Sequence, residues 1–171
     1  MSGEKEDEKK SGIDTAWRIH GAIEAWTAKV DTKASIILAL ESGLLVAVGG
    51  FSKTGSLYGE LVGREVLAFA VGISLLFFAV FLAGIVVKPR LRRRATAREY
   101  KNQYVYFGHL RHWEAKQLER ELRTGDLLPV LSRQLIVMSK IAWQKHVLVQ
   151  LSMWSALLGF AVLAACGIVA A

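Results

Sequence analysis

The chain has 171 residues, of which 53% are hydrophobic, and a formal net charge of +7. Its apolar residues come in long blocks rather than in a periodic scatter, which argues against an ordinary soluble domain and indicates a small membrane protein. Its single cysteine, Cys166, excludes a disulfide framework and a multi-cysteine metal site within one chain.

The N-terminal region is rich in charge. Residues 4–10 are all acidic or basic, with almost nothing apolar nearby, which predicts a disordered tail over 1–13. Residues 14–32 are predicted to form a cytosolic amphipathic helix, capped by Asp14, that packs on its neighbours or lies in the membrane interface. Its apolar face consists of Ile19, Ile23, Trp26 and Val30. No signal-peptide pattern precedes the first span, so we expect that span to remain in the mature chain.

The first predicted transmembrane helix covers 33–51, a length that crosses the hydrocarbon core of a bilayer. Small residues recur every four positions along one side of it, at Ser35, Ala39, Gly43 and Ala47. Glu41 lies roughly opposite this stripe by helical angle. A carboxylate at that depth is costly unless it is protonated, paired or facing water. The sequence leaves two interpretations open, a switch or pore-lining group and a neutral, hydrogen-bonded glutamic acid inside a helix bundle.

An external loop over 52–65 and a second transmembrane helix over 66–87 are predicted next. The second helix has its own small-residue face, formed by Ala68, Gly72, Ala79 and Ala83. It is followed by the dense basic run Lys88–Arg94, which the positive-inside rule assigns to the cytoplasm. The loop then lies outside, and the N-terminus is cytoplasmic.

Residues 88–146 are predicted to form a basic cytosolic helical region. From Lys88 to Lys145 there are 14 lysines and arginines against 5 acidic residues, a net charge of +9. The third transmembrane helix is predicted over 147–170, continuous with a long cytosolic stem. The predicted fold is therefore an all-α membrane protein: three transmembrane helices, a small helical cytosolic body, and a long stem helix continuous with the last span.

Catalysis finds little support in the sequence. No nucleophile lies near a plausible base, and the one cysteine is in a predicted span. No glycine-rich phosphate loop or dinucleotide fingerprint is present. His109 and His112 have a spacing that suits a shared metal but lack a third ligand. The sequence predicts a protein that is not an enzyme, with no catalytic residues, no metal site and no cofactor.

Binding of a small phosphate ligand is better supported by the basic cytosolic region. Guanidinium groups match phosphate oxygens in a bidentate manner, and aromatic faces stack on nucleobases. The candidate nucleotide-binding residues are Arg92, Arg93, Arg94, Tyr104, Tyr106, Phe107 and His109. The alternative is that the arginines only set topology and contact anionic lipid, while the aromatic residues form the core of a small domain.

Several short motifs carry a resemblance to a known family. Asp31–Ser35, which reads Asp-Thr-Lys-Ala-Ser at the mouth of the first span, resembles the Asp-x-Lys-Ala signature of the Pycsar transmembrane effectors. Those proteins are the membrane arm of a bacterial anti-phage pathway that uses cyclic pyrimidine nucleotides. The similarity extends over roughly Trp17 to Val169, with Met138 at a position where the family is expected to have leucine. Its other motifs are Tyr106-Phe107-Gly108 and the stem residues Gln134, Ser139 and Lys145.

The resemblance implies a mechanism for this chain. A partner pyrimidine nucleotide cyclase, switched on by infection, would make cyclic UMP or cyclic CMP as the ligand. The effector would sense that ligand on the cytoplasmic side, assemble as a homo-oligomer in the inner membrane and impair the bilayer. The infected cell would die before phage matures, which is abortive infection. No nucleic acid is expected as a partner.

A set of residues at the membrane mouth is predicted to act as the switch, namely Asp31, Lys33, Glu41, Gln134 and Lys145. In this hypothesis Asp31 and Lys33 anchor the first helix at the interface, and Asp31 pairs with Lys145 or Gln134. The competing hypothesis is a structural or scaffold membrane protein that recruits a cytosolic partner without nucleotide sensing. A small transporter or channel component is a third class, and three spans per chain would then require oligomerisation.

Overall fold

A computed structural model describes residues 2–53, 61, 63–89 and 97–170, so the predicted site residues Arg92, Arg93 and Arg94 lie outside the described residues. The described residues form helices and no strands. We number the α-helices α1 (Ser2–Lys53), α2 (Arg64–Val87), α3 (Phe107–Leu110), α4 (Ala115–Thr124) and α5 (Leu127–Ala170), with a 3-10 helix at Tyr100–Asn102. Three of them, α1, α2 and α5, are long and apolar enough to cross a membrane. The predicted all-α membrane protein is confirmed.

Helix α1 is longer than the sequence predicted, because it is helical from Ser2 where a disordered tail was expected over 1–13. Glu4 in the first turn is favourably placed at the positive end of the helix dipole. Lys9 Nζ lies 3.3 Å from Asp126 Oδ1, and Gly12 lies close to the side chain of Leu128. The start of α1 thus contacts residues far along the chain, and the local sequence pattern gives no sign of these contacts.

The chain divides into two compact units. The first, called the head unit, comprises the described residues of Met1–Thr27 and Pro89–Trp143. The second, called the membrane unit, comprises those of Ala28–Lys88 and Gln144–Ala171. Helices α1 and α5 each contribute residues to both units without a break in their helical structure. The predicted division of α1 at residue 32 is therefore not a break in secondary structure.

The core of the membrane unit joins all three long helices. Val30 and Ala34 from α1 pack with Val86 from α2 and Val149 from α5. The two predicted small-residue faces differ in how they are used. On α2, Gly72, Ala79 and Ala83 are buried inside the protomer. On α1, the four small residues of the stripe are exposed on the surface of the protomer: Ser35, Ala39, Gly43 and Ala47.

Helices α2 and α5 come close together at two glycines. A Cβ atom added to Gly159 would lie 2.9 Å from the backbone oxygen of Gly72 and 3.1 Å from Leu75 Cβ. A Cβ atom added to Gly72 would lie 2.7 Å from the buried side chain of Leu163. Small residues at such crossings let helix backbones approach closely in lipid. The α2–α5 contact therefore requires glycine at both positions.

We predict that Gly159→Ala lowers the midpoint of thermal unfolding of the detergent-solubilised protein. The added methyl group meets backbone rather than a movable side chain, and such overpacking costs about 1–3 kcal/mol. The matched control is Gly84→Ala in α2, where an added Cβ meets nothing within 4 Å. That control should leave the midpoint unchanged or raise it, since alanine favours helix. Equal destabilisation by both substitutions would contradict the close crossing.

Candidate functional site

An ion pair joins α1 and α5 in the membrane unit. Lys145 Nζ lies 2.5 Å from Asp31 Oδ1 and 2.7 Å from Asp31 Oδ2. The lysine side chain is 12% exposed and the aspartate side chain 40% exposed, so the lysine carries the larger desolvation cost. Asp31 directly follows the core residue Val30, and Lys145 precedes the core residue Val149 by one helical turn. The structure thus pairs Asp31 with Lys145, one of the two partners that the sequence left open.

The other predicted residues of the membrane mouth occupy different surroundings. Lys33 is exposed on α1, and Gln134 is buried in the head unit on α5. Both carboxylate oxygens of Asp31 are bound by Lys145. The structure therefore selects Lys145 from the two partners that the sequence left open.

Glu41 lies deeper in the membrane unit and is 3% exposed. Ser152 Oγ of α5 lies 2.7 Å from Glu41 Oε1 and 2.9 Å from the backbone oxygen of Ala79 in α2. Ser152 is fully buried. Of the two interpretations of Glu41, the structure of the protomer matches a hydrogen-bonded group inside a helix bundle.

Ser152 is a partner of Glu41 that the sequence alone did not single out. A signal for it is present, since Lys145, Val149 and Ser152 follow the i, i+4, i+7 spacing of one helical face. Once Lys145 is known to face α1, the same spacing directs Ser152 toward α1 as well. The sequence shows only a serine in an apolar run, with nothing to fix which neighbour it contacts.

The aromatic segment of the head unit contains two separate clusters. In the first, Trp113 Nε1 donates to the backbone oxygens of Tyr100 and Gln103, over 2.8 Å and 3.2 Å. The rings of Tyr100 and Tyr104 meet the Trp113 ring edge-on, with centroids 6.0 Å and 6.2 Å away. Tyr104 is buried in this cluster. Its ring therefore serves the packing of the segment, as the alternative interpretation of the aromatic residues stated.

The second cluster is formed by Tyr106, Phe107 and His109. The Tyr106 ring centroid lies 4.4 Å from that of Phe107 and 5.5 Å from that of His109. His109 is buried, whereas the Phe107 side chain is 65% exposed. Three of the predicted nucleotide-binding residues thus lie together, and one of them presents an open aromatic face of the kind that stacks on a base.

Comparison with known proteins gives one family match. The model of the Pycsar effector protein domain, PycTM, matches residues 15–171, which is most of the chain. No curated protein matches the chain, and no solved structure does.

We predict that Asp31→Ala destabilises the membrane unit by about 1–3 kcal/mol, because it leaves the largely buried Lys145 ammonium without its partner. Lys145→Ala should cost less, since it strands the more exposed of the two charges. The measurement is the midpoint of thermal unfolding in detergent. The exchanged variant Asp31→Lys with Lys145→Asp should recover part of the loss. Additive effects of the two single substitutions would show that the pair makes no net contribution.

Burial raises the pKa of Tyr104 above its ordinary value of 10.0, and the nearby carboxylates of Glu121 and Asp126 act in the same direction. The unfolded chain therefore ionises first as pH rises. The stability that Tyr104 contributes is complete below pH 10 and is lost as pH rises through the raised pKa. We predict that Tyr104→Phe removes this part of the alkaline loss of stability, measured by thermal unfolding from pH 9 to 11, whereas Tyr106→Phe retains it. An unchanged alkaline profile for Tyr104→Phe would contradict the prediction.

Proposed function

The chain belongs to the Pycsar effector family of anti-phage defence, and on that premise we propose that it senses a cyclic pyrimidine mononucleotide and impairs the bacterial inner membrane. The ligand is cyclic UMP or cyclic CMP, supplied by a partner cyclase, and the outcome is abortive infection. The family implies a functional link to a cyclic-nucleotide cyclase system. The family match is the single observation that carries the proposal, since residues 15–171 include most of the head unit and the apolar part of all three candidate spans.

The proposed orientation places the head unit and the N-terminus in the cytoplasm, where the cyclase product is made. The basic run Lys88–Arg94 supports this, because cytoplasmic flanks of membrane spans are enriched in lysine and arginine. The proposed role requires no catalysis by this chain, and it needs neither a cofactor nor nucleic acid. The nucleotide acts as a signal that is bound and not transformed.

The proposed nucleotide contacts combine charge and stacking. Phe107 offers its exposed ring to the pyrimidine base, with Tyr106 and His109 packed beside it. The arginine side chains at 92–94 are proposed to bind the cyclic phosphate, because guanidinium groups pair with phosphate oxygens. Tyr104 is proposed to act indirectly, by holding the segment in shape through its contact with Trp113.

The proposed coupling to the membrane uses the continuity of the two long helices. Residues of α1 and α5 belong to the head unit at one end and to the membrane unit at the other. A ligand shifts an equilibrium between two states only by its differential affinity for them. We propose that the nucleotide favours a homo-oligomeric state in which the exposed small-residue stripe of α1 contacts a neighbouring protomer.

The alternative is a scaffold membrane protein whose head unit recruits a cytosolic partner. The exposed Phe107 and the basic charge of the region suit a protein partner as well as a nucleotide. The two functions differ in one respect that can be measured. Only the sensing effector changes the permeability of a pure lipid bilayer in response to a nucleotide.

The test uses full-length protein in dye-loaded liposomes, with cyclic UMP, cyclic CMP, cyclic AMP and cyclic GMP compared at one salt concentration. We expect dye release with a pyrimidine cyclic nucleotide alone. No release with any of the four, from protein shown to be folded and inserted, would favour the scaffold function.

We further predict that Phe107→Ala raises the nucleotide concentration needed for half-maximal release about tenfold or more, because one base–aromatic stack is worth about 1–3 kcal/mol. Leu122→Ala is the matched control, since Leu122 is a similarly exposed apolar residue of the head unit, 62% exposed. Its response should equal that of the unaltered protein. Equal responses of the two variants would place the base elsewhere.

A further inference from the structure

Three oxygen atoms from three different helices meet inside the membrane unit. They are Glu41 Oε1 of α1, the backbone oxygen of Ala79 in α2, and Ser152 Oγ of α5, which lies between them. The separations are 2.7 Å and 2.9 Å, and both side chains are almost completely buried. Glu41 Oε2 is also buried and has no hydrogen-bond partner among the described residues. Where the three helices meet, one oxygen of this buried carboxyl group is hydrogen-bonded and the other is not.

The number of hydrogens available at these atoms favours a neutral Glu41. The Ser152 hydroxyl has one hydrogen to donate, yet it lies at hydrogen-bonding distance from two oxygen atoms. An ionised Glu41 would only accept, so the two short O···O contacts would have to share the single hydroxyl hydrogen. A carboxylic acid supplies a second hydrogen, because Glu41 Oε1 then donates to Ser152 Oγ and Ser152 donates to the Ala79 oxygen. The unpartnered Oε2 is then a neutral carbonyl oxygen, which is far less costly to bury than a carboxylate.

The spacing of these atoms is that of hydrogen bonds, because both separations are lengths typical of O–H donors. Glu41 is the one carboxylate at this point, and among the residues the structure describes no group of three His, Cys, Asp or Glu side chains is placed to hold a metal. A proton on Glu41 satisfies the short contacts with the atoms that are present.

No cationic side chain in the spans compensates a charge on Glu41. It is the only Asp, Glu, Lys, Arg or His within 34–52, 66–87 and 147–170. On α1 the nearest charge toward the head unit is Lys33, which is exposed, and beyond it Asp31 is bound to Lys145 of α5. The remaining titratable groups of the membrane unit's helices are Lys29 and Lys53 on α1, Arg64 and Glu65 at the start of α2, Lys88 directly after it, and His146 and Cys166 on α5.

We infer that Glu41 is a proton-binding site of the membrane unit, and that release of its proton is coupled to water entry between the three helices. In the packed state the Oε1–H bond is intact. On release that bond breaks, the electron pair stays on the carboxylate, and the proton passes to water to give hydronium. The Ser152 hydroxyl turns its hydrogen to the carboxylate, whose remaining lone pairs then require hydration. Packing of the unit and the proton on Glu41 therefore stabilise each other, independently of any nucleotide.

The direct test is infrared spectroscopy of the full-length protein in lipid nanodiscs at neutral pH, where glutamates in water are ionised. We expect the carbonyl band of a protonated carboxylic acid, which shifts in deuterium oxide and is lost in Glu41→Gln. Glu24→Gln is the matched control, since Glu24 is an exposed glutamate of the same helix with a side chain 73% exposed, and it should leave the band unchanged. Absence of the band in folded protein, or its persistence in Glu41→Gln, would overturn the inference.

A second measurement addresses the coupling to packing and does not require the glutamine variant to fold. In Ser152→Ala the Glu41 carboxylic acid loses its hydrogen-bond acceptor. Its carbonyl band should therefore remain present but shift in frequency. Hydrogen–deuterium exchange of α1 amides around residue 41 should rise with pH in the unaltered protein by more than the intrinsic chemical rate. Exchange that follows the intrinsic rate alone, or a band unaffected by Ser152→Ala, would overturn the coupling.

Discussion

The ion pair between Lys145 and Asp31 sets the register in which α1 and α5 pack in the membrane unit. Glu41 lies ten residues beyond Asp31, and Ser152 lies seven beyond Lys145, which correspond to roughly 15 Å and roughly 10 Å of helix. The two contacts occur in the same order along both helices, so α1 and α5 run parallel there. A lysine side chain that points back toward the start of its helix spans the difference of a few ångströms. A single register of α1 against α5 therefore allows both the Asp31–Lys145 ion pair and the Glu41–Ser152 hydrogen bond.

The long apolar runs and the charged segments between them were sufficient to predict the three spans, because a bilayer requires long apolar helices whatever their tertiary contacts. The sequence narrowed the partner of Asp31 to Lys145 or Gln134, and only the packed helices identify Lys145. The start of α1 was not predictable. Its charged residues show no apolar face, and the helix there is stabilised by contacts such as that between Lys9 and Asp126. Such long-range contacts leave no periodic trace in the local sequence.

In the head unit, the sequence could not predict which aromatic residues of the candidate site are buried and which are exposed. Tyr104 and Phe107 stand three residues apart in one aromatic run, yet one is buried and the other is 65% exposed. Between them the backbone passes from the end of a 3-10 helix into a short α-helix, so no single period relates their side chains. The Trp113 indole decides the outcome by bonding the backbone at Tyr100 and Gln103. Composition alone identified the aromatic residues but not their division into a packing cluster and an exposed one.

The two small-residue faces of the membrane unit are used differently, one inside the unit and one on its surface. The face of α2 is occupied within the protomer, where Gly72 and Gly159 bring two backbones into contact. The face of α1 has no such use, and an added Cβ at Gly43 meets nothing within 4 Å. Small residues on such a face let a second helix approach closely in lipid, which is the basis of the proposed assembly. Glu41 lies on the opposite, buried side of the same helix. A rotation of α1 that improves contact with a neighbouring protomer therefore also acts on the hydrogen bonds that keep Glu41 neutral, and this links the proposed assembly to the chemistry of the buried acid.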